Sequence, residues 1–190
     1  MRLAPFALAE RAAQARDVMT AAFGLDPAEA SQREEIFRGH AQRPGIICLG
    51  AFDSQDRLIA FCYGFPGLPS SWWENQIRPH LVDAGAEGWL SDVFELTELH
   101  VHPDQQGRGI GRTLITSVCN ASSLPKAILS VRSDSTVAQR LYRSLGFTDL
   151  TAPFTFGNLP PEYLVMGARL PLPTNQRHPG PPFATWVPGR

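Results

Sequence analysis

No apolar run in the sequence approaches the roughly 20 residues that a membrane-spanning helix needs. The opening stretch, MRLAPFALAERAAQARDVM, also lacks the continuous apolar core of a secretion signal, because Glu10, Arg11 and Arg16 interrupt it. Membrane partners are not expected, and cytoplasmic residence is. Strong charge of either sign is missing too. The formal net charge is −1, which argues against nucleic acid as a partner. Cysteine is scarce and odd in number: Cys48, Cys62 and Cys119 lie inside apolar runs and show no metal-ligand spacing. They read as buried reduced thiols, with neither a metal site nor a disulfide framework.

What the chain does have is enough apolar content, 43% of 190 residues, for one ordinary globular domain. Leu8, Ala12, Ala15, Met19 and Ala22 form one stripe that predicts a helix over 8–23, ended by Gly24. A second helix is expected from Pro27 to about His40, with Asp26 as cap and Glu29 completing a capping box. Its charges Arg33, Glu34, Glu35 and Arg38 read as a solvated face. Residues 46–52 and 57–64 are nearly all apolar around the turn Asp53, Ser54, Gln55, Asp56, which predicts a hairpin in the middle of a sheet. A helix over 71–84 follows, with Trp73, Ile77 and Leu81 as its core stripe and Trp72 off that stripe as a candidate cleft residue.

The most informative stretch is 93–121, VFELTELHVHPDQQGRGIGRTLITSVCNA. It reads as a strand, a glycine-rich loop and an amphipathic helix with Ile110, Leu114, Val118 and Ala121 on one stripe. Glycines let the unpartnered N–H groups of a helix's first turn approach an anion closely, most naturally a phosphate. A dinucleotide fingerprint fails because Arg112 stands where its third glycine belongs. A P-loop fails because Gln106 replaces a glycine and Arg112 a lysine. The strand carries a second signal. Glu95 and Thr97 alternate with Phe94 and Leu96, but then Glu98 and His100 alternate with Leu99 and Val101, so the phase slips by one at Thr97 and Glu98. One extra residue in a β-bulge would bring Glu95, Thr97 or Glu98, and His100 to one side.

The loop resembles the acyl-CoA-binding signature of the GNAT superfamily of N-acetyltransferases, Gln/Arg-x-x-Gly-x-Gly/Ala, met by Gln106, Gly109 and Gly111. Downstream, a short strand over 127–131 precedes a helix over 136–145 closed by Gly146, with Val137, Leu141 and Leu145 expected in the core and Ala138 and Tyr142 on an adjacent stripe. Here a second motif of the same family, Asn-x-x-Ala-x-x-Leu-Tyr-x-x-x-Gly-Phe, is similar in register to Ser135, Ala138, Leu141, Tyr142, Gly146 and Phe147. Ser135 departs from the usual asparagine. It can cap the helix or give one hydrogen bond, but it cannot offer an amide's paired donor and acceptor.

The resemblance implies an α/β fold: a single domain over 1–170 with a mixed central β-sheet flanked by helices, and a bulge and V-shaped splay at the strand that binds acyl-CoA. It implies that backbone groups of Leu99, His100 and Val101 face the pantetheine arm like an added strand. Gln106, Gly107, Arg108, Gly109, Ile110, Gly111 and Arg112 would hold the pyrophosphate, and Ser135 and Ala138 would flank the arm. The chemistry that the resemblance implies is transfer of an acetyl group from acetyl-CoA to a primary amine of a small molecule, peptide or protein. Glu95 or Glu98 would be the general base and Tyr142 the acid toward sulfur, with Leu99 or His100 N–H polarising the carbonyl. His100 is a third candidate base, since imidazole exchanges protons near neutral pH; His102 reads as a loop residue. The reading from a different class is a catalytically silent acyl-CoA-binding module. Residues 147–156 and 163–170 read as closing strands. Residues 171–190 form a Pro-rich tail in which Phe183, Trp186 and Val187 can anchor against the body or against a partner subunit in a homodimer.

Overall fold

The computed structural model describes residues 1–158 and 160–174. Its first element is a strand that patterning did not signal: β1 (Arg2–Pro5) lies along the outer edge of β2 (Ile47–Phe52), with Arg2 opposite Phe52 and Pro5 opposite Leu49. The first helix, α1 (Ala12–Phe23), starts later than the expected 8–23, because the N–H groups of Glu10 and Arg11 both return to Ala7 O in a turn. Leu8 is still buried. In α2 (Pro27–His40) the capping box forms as expected. Asp26 Oδ1 accepts from Ala28 and Glu29 N–H at 2.8 and 2.9 Å, and Glu29 Oε2 accepts from Asp26 N–H at 3.1 Å.

Asp53 turns the hairpin by accepting from Gln55 and Arg57 N–H at 2.8 and 3.0 Å, which aligns β2 with β3 (Leu58–Pro66). The remaining elements are α3 (Trp72–Asp83), β4 (Val93–Val101), α4 (Ile110–Ala121), β5 (Lys126–Arg132), α5 (Thr136–Arg143), β6 (Thr148–Asp149), β7 (Phe154–Thr155) and β8 (Glu162–Arg169). The strands order as β1-β2-β3-β4-β5-β8-β6, with β7 also on β8. Among the described residues only β4 and β5 run parallel, so the sheet is mixed as expected.

The apolar alternation of β3 divides the core between two faces. Phe61, Tyr63 and Phe65 pack under Val18, Met19 and Phe37 of α1 and α2, while Ala60 and Cys62 join Ile110, Leu114 and Val118 of α4 on the other side. Ile77 and Leu81 of α3 cover Ile128 and Val165, with Trp73 against the same cluster, so the predicted stripe is the buried one. Cys62 and Cys119 are buried free thiols and Cys48 is half-buried, and burial drives all three above the usual thiol range.

Two expectations near the C-terminal end need correction. Residues 147–156 are not one strand but the two short pieces β6 and β7. Between them, Thr151 Oγ1 accepts from Val165 N–H at 3.1 Å and Pro153 has no N–H to give. In α5, Val137 is 73% exposed rather than in the core. The helix is rotated so that Gln139 is buried, its amide donating to Arg132 O at 3.0 Å and Ser133 O at 2.8 Å. Satisfying those two carbonyls outweighs burying one valine. Beyond β8, Leu172 is buried and clamped by Asn120, whose Oδ1 accepts at 2.6 Å and whose Nδ2 donates at 3.0 Å. Phe183, Trp186 and Val187 lie outside the described residues. Among the described residues no helix is long and apolar enough to cross a membrane.

Candidate active site

The phase slip in β4 is a bulge. Tyr63 stands opposite Glu98 but the next residue of β3, Gly64, stands opposite Leu96, which leaves Thr97 without a partner. Directly opposed residues share a face, so Glu95, Glu98 and His100 lie on the same side as Phe65, Tyr63 and Phe61, beneath α1 and α2. Gly64 is needed at the bulge: a Cβ there would meet Glu95 O at 2.4 Å.

The three polar groups have different surroundings. Glu95 is 8% exposed, and among the described residues its carboxylate has no hydrogen-bond partner. Burial raises it to about 7, with Arg43 pulling against that shift and Glu74 adding to it. Glu98 Oε2 lies 2.6 Å from His100 Nε2. His100 is sealed between Phe23 and Phe61, each ring 5.2 Å away. Burial thus brings the Glu95 carboxyl close to neutral pH, and the His100 ring is enclosed beside Glu98. His102 sits at the strand exit, where its Nδ1 accepts from Asp104 N–H at 3.3 Å.

β4 and β5 pair only at Val93 with Lys126, Phe94 with Ala127 and Glu95 with Ile128. Beyond Glu95 they part, and β4 continues to Val101 with its β5 edge open. His102 N–H donates to Ile59 O at 2.9 Å, so by antiparallel alternation His100 also bonds to β3 and the N–H groups of Leu99 and Val101 point into the opening. Of the two amides considered from sequence, Leu99 is the one that faces the gap. Gln106 Nε2 donates to Val101 O at 3.1 Å and folds the loop back over the strand end.

Gly107 and Gly109 take φ of 74° and 76°, which carries the chain straight into α4. Gly109 has no side chain to cap the helix, and the first intrahelical bond runs from Thr113 N–H to Gly109 O at 3.1 Å. The N–H groups of Ile110, Gly111 and Arg112 are left for a ligand. Arg108 is exposed beside them, whereas the Arg112 guanidinium donates to Ser144 Oγ at 2.5 Å and ties α4 to the end of α5. An uncapped helix start next to a strand edge with free amides fits a pyrophosphate followed by an extended, amide-bearing arm.

On the other side of the gap, Tyr142 and Ala138 of α5 pack against the α4 face of the sheet. The Tyr142 ring lies 5.7 Å from Phe147. Burial, followed by the nearby Cys62, Glu98 and Cys119, holds its phenol well above the usual range, so it stays protonated. Ser135 is half-buried at the start of α5 and its hydroxyl makes no cap bond.

Sequence patterning missed the groups that loops and helix ends bring in. Glu74 at the start of α3 is 5% exposed and paired with Arg78. Arg43, in the loop after α2, sits 5.4 Å above the Phe65 ring. Tyr63, fully buried, meets His40 Nδ1 at 2.8 Å. Only the apolar pattern around Tyr63 hinted at its place, and nothing local hinted at the others. Trp72 is 67% exposed and lies 5.7 Å from Phe156, whereas Trp73 Nε1 donates to Ser130 Oγ at 3.2 Å.

Known proteins resemble this chain in sequence and in fold. Residues 72–149 match the family model described as an acetyltransferase (GNAT) domain. A GCN5-like protein acetyltransferase of Mycobacterium tuberculosis is 34% identical over 123 residues, which are 60% of this chain and 60% of that protein. The ribosomal-protein-S18-alanine N-acetyltransferase from Escherichia coli has a TM-score of 0.64 at 16% identity, over 93% of this chain and 98% of that one. PaiA N-acetyltransferase from Thermoplasma acidophilum, solved in complex with coenzyme A, has a TM-score of 0.59 at 15% identity, over 89% of this chain and 99% of that one. At such identities the solved structures establish likeness of fold. Joined to the family match across the helix-start loop and the Tyr142 helix, that likeness makes this chain similar to GNAT acetyltransferases in its central segment and in its fold.

Proposed function

We propose that the protein is an acetyl-CoA-dependent N-acetyltransferase acting on a primary amine of a small molecule, peptide or protein. The observation that carries the reading is the end of β4–β5 pairing at Glu95 and Ile128. It opens a gap with a protonated phenol on one face of the sheet and the largely buried carboxyl group of Glu95 on the other. The names of the relatives, which include a protein acetyltransferase and a ribosomal-protein-alanine N-acetyltransferase, support amine transfer as the class.

On this reading the N–H groups of Ile110 to Arg112 bind pyrophosphate, and the open edge at Leu99 and Val101 aligns the pantetheine arm as an added strand. Glu95 takes a proton from the acceptor ammonium, directly or through a water. The freed nitrogen lone pair forms the C–N bond at the thioester carbonyl, and Leu99 N–H stabilises the charge that builds on oxygen. As the C–S bond breaks, Tyr142 gives its proton to sulfur. The second proton shed by nitrogen restores Tyr142, and the one on Glu95 passes to solvent. Amide, free thiol and one proton are the products.

The test is release of CoA thiol from acetyl-CoA in the presence of a panel of amines and peptide N-termini. Amine-dependent release is the expected result. Acetyl-CoA-dependent thermal stabilisation without release across the panel would mean a silent binding module, and no stabilisation at all would overturn both.

A further inference from the structure

Among the described residues Arg43 is a cation without an acid. Its N–H donates to His40 O at 3.0 Å and its C=O accepts from Ile46 N–H at 3.3 Å, so its backbone is fixed between α2 and β2. Its guanidinium lies over Phe65 at 5.4 Å, and no carboxylate among the described residues comes within 4.0 Å of it. The acids of the site are either engaged or set apart. Glu74 pairs with Arg78, Glu98 binds His100, and Glu95 stays beyond pairing distance. Yet Phe65 is the cross-strand partner of Glu95, which puts the guanidinium about one side chain away from the candidate base. Arg43 also lines an open surface hollow of about 270 Å³ with Pro44, Gly45, Pro66, Gly67 and Leu68. A half-buried guanidinium stacked on an aromatic ring, lining a small apolar hollow, is built to receive a planar anion through paired hydrogen bonds.

Building on the transferase reading, we infer that Arg43 binds a carboxylate of the acceptor, so that the preferred acceptor is a primary amine with a carboxylate a few bonds away. The amine is then held toward Glu95 and the carboxylate toward Arg43, which orients the nitrogen through two fixed charges of opposite sign. A free amino acid and an amine flanked by an acidic residue in a polypeptide both supply this chemistry. A neutral amide in place of the carboxylate leaves the guanidinium desolvated without a partner, so it is discriminated against.

The experiment compares kcat/KM for the L-amino acids with their amides, and for peptides with aspartate beside the acceptor amine with the matching asparagine peptides. We expect the carboxylate form to be favoured by about 10- to 100-fold in one of these sets, and the set that shows it names the source. In Arg43→Gln the ratio should fall toward one, and Arg43→Lys should restore part of it. Titration of the N-acetylated product into wild type and Arg43→Gln reads the same contact without turnover. Thiol release with a ratio near one, or a ratio unchanged in Arg43→Gln, overturns the Arg43 assignment alone. Arg43-dependent product binding without thiol release supports that assignment and strikes only the transferase reading. Absence of both overturns both.

Discussion

Glu98 and His100, two residues apart on β4, share a hydrogen bond of 2.6 Å on the face that also carries Glu95. The bulge at Thr97 is what puts all three there, since an unbroken strand would send Glu95 to the opposite side. The imidazole is buried against Phe23 and Phe61 with its Nε2 held on Glu98. His100→Asn should therefore lower kcat by no more than about tenfold and leave the KM for acetyl-CoA unchanged, short of the ~10² to 10⁴ that loss of a base costs. Steady-state kinetics at saturating acetyl-CoA separates the two.

Tyr142 is kept protonated by its surroundings, chiefly burial. The phenol is thus a donor throughout the working range, and its ionisation should add no limb to the pH–rate profile there. Tyr142→Phe keeps the ring against Phe147 but removes the proton. We expect kcat to fall about 10²-fold with acetyl-CoA binding retained, measured by turnover and by thermal shift with acetyl-CoA.

Ionised Glu95 lowers the stability of the fold. Its carboxyl is raised by burial from 4.5 to about 7. Because the folded value lies above the unfolded one, the stability this group contributes is complete below the unfolded carboxylate range and is lost as pH rises through about 7. Glu95→Gln removes that loss. The variant should melt higher than wild type at pH 8, by up to about 3 kcal/mol of stability, and the gap should close toward pH 4.5. Paired denaturation curves across that range provide the check.

Gln139 holds the loop from which α5 begins. Its amide meets Arg132 O and Ser133 O, the carbonyls just before Ser135. Gln139→Leu takes this donor from Ser133 O and leaves Arg132 O with the Ser135 N–H at 3.1 Å, at a cost of about 1 kcal/mol or somewhat more. The same change loosens Ser135 and Ala138, so the KM for acetyl-CoA should rise while kcat on bound substrates changes less. Denaturant titration and initial-rate kinetics check the two halves.

Signals that are local were legible in the chain. Asp26 and Glu29 announced the start of α2, and the slip from Glu95–Thr97 to Glu98–His100 announced the bulge, because cap chemistry and period-2 alternation reside in a few adjacent residues. The Gly109 turn into α4 was likewise visible. What stayed hidden depends on distant parts of the chain. β1 exists because Arg2–Pro5 finds an edge of β2, and Val137 is exposed because Gln139 answers two carbonyls of a preceding loop. Arg43 and Glu74 reach the Glu95 side of the sheet from a loop and a helix start. Neither position carries a periodic signal that links it to β4.

The most direct test is the pH dependence of kcat in wild type and Glu95→Gln on one identified amine acceptor. Wild-type turnover should rise with an apparent pKa near 7, the value to which burial raises Glu95. Glu95→Gln should lose that limb and fall by about 10² to 10⁴ at pH 8. A Glu95→Gln enzyme that keeps the same pH profile and remains within about tenfold of wild type would contradict it.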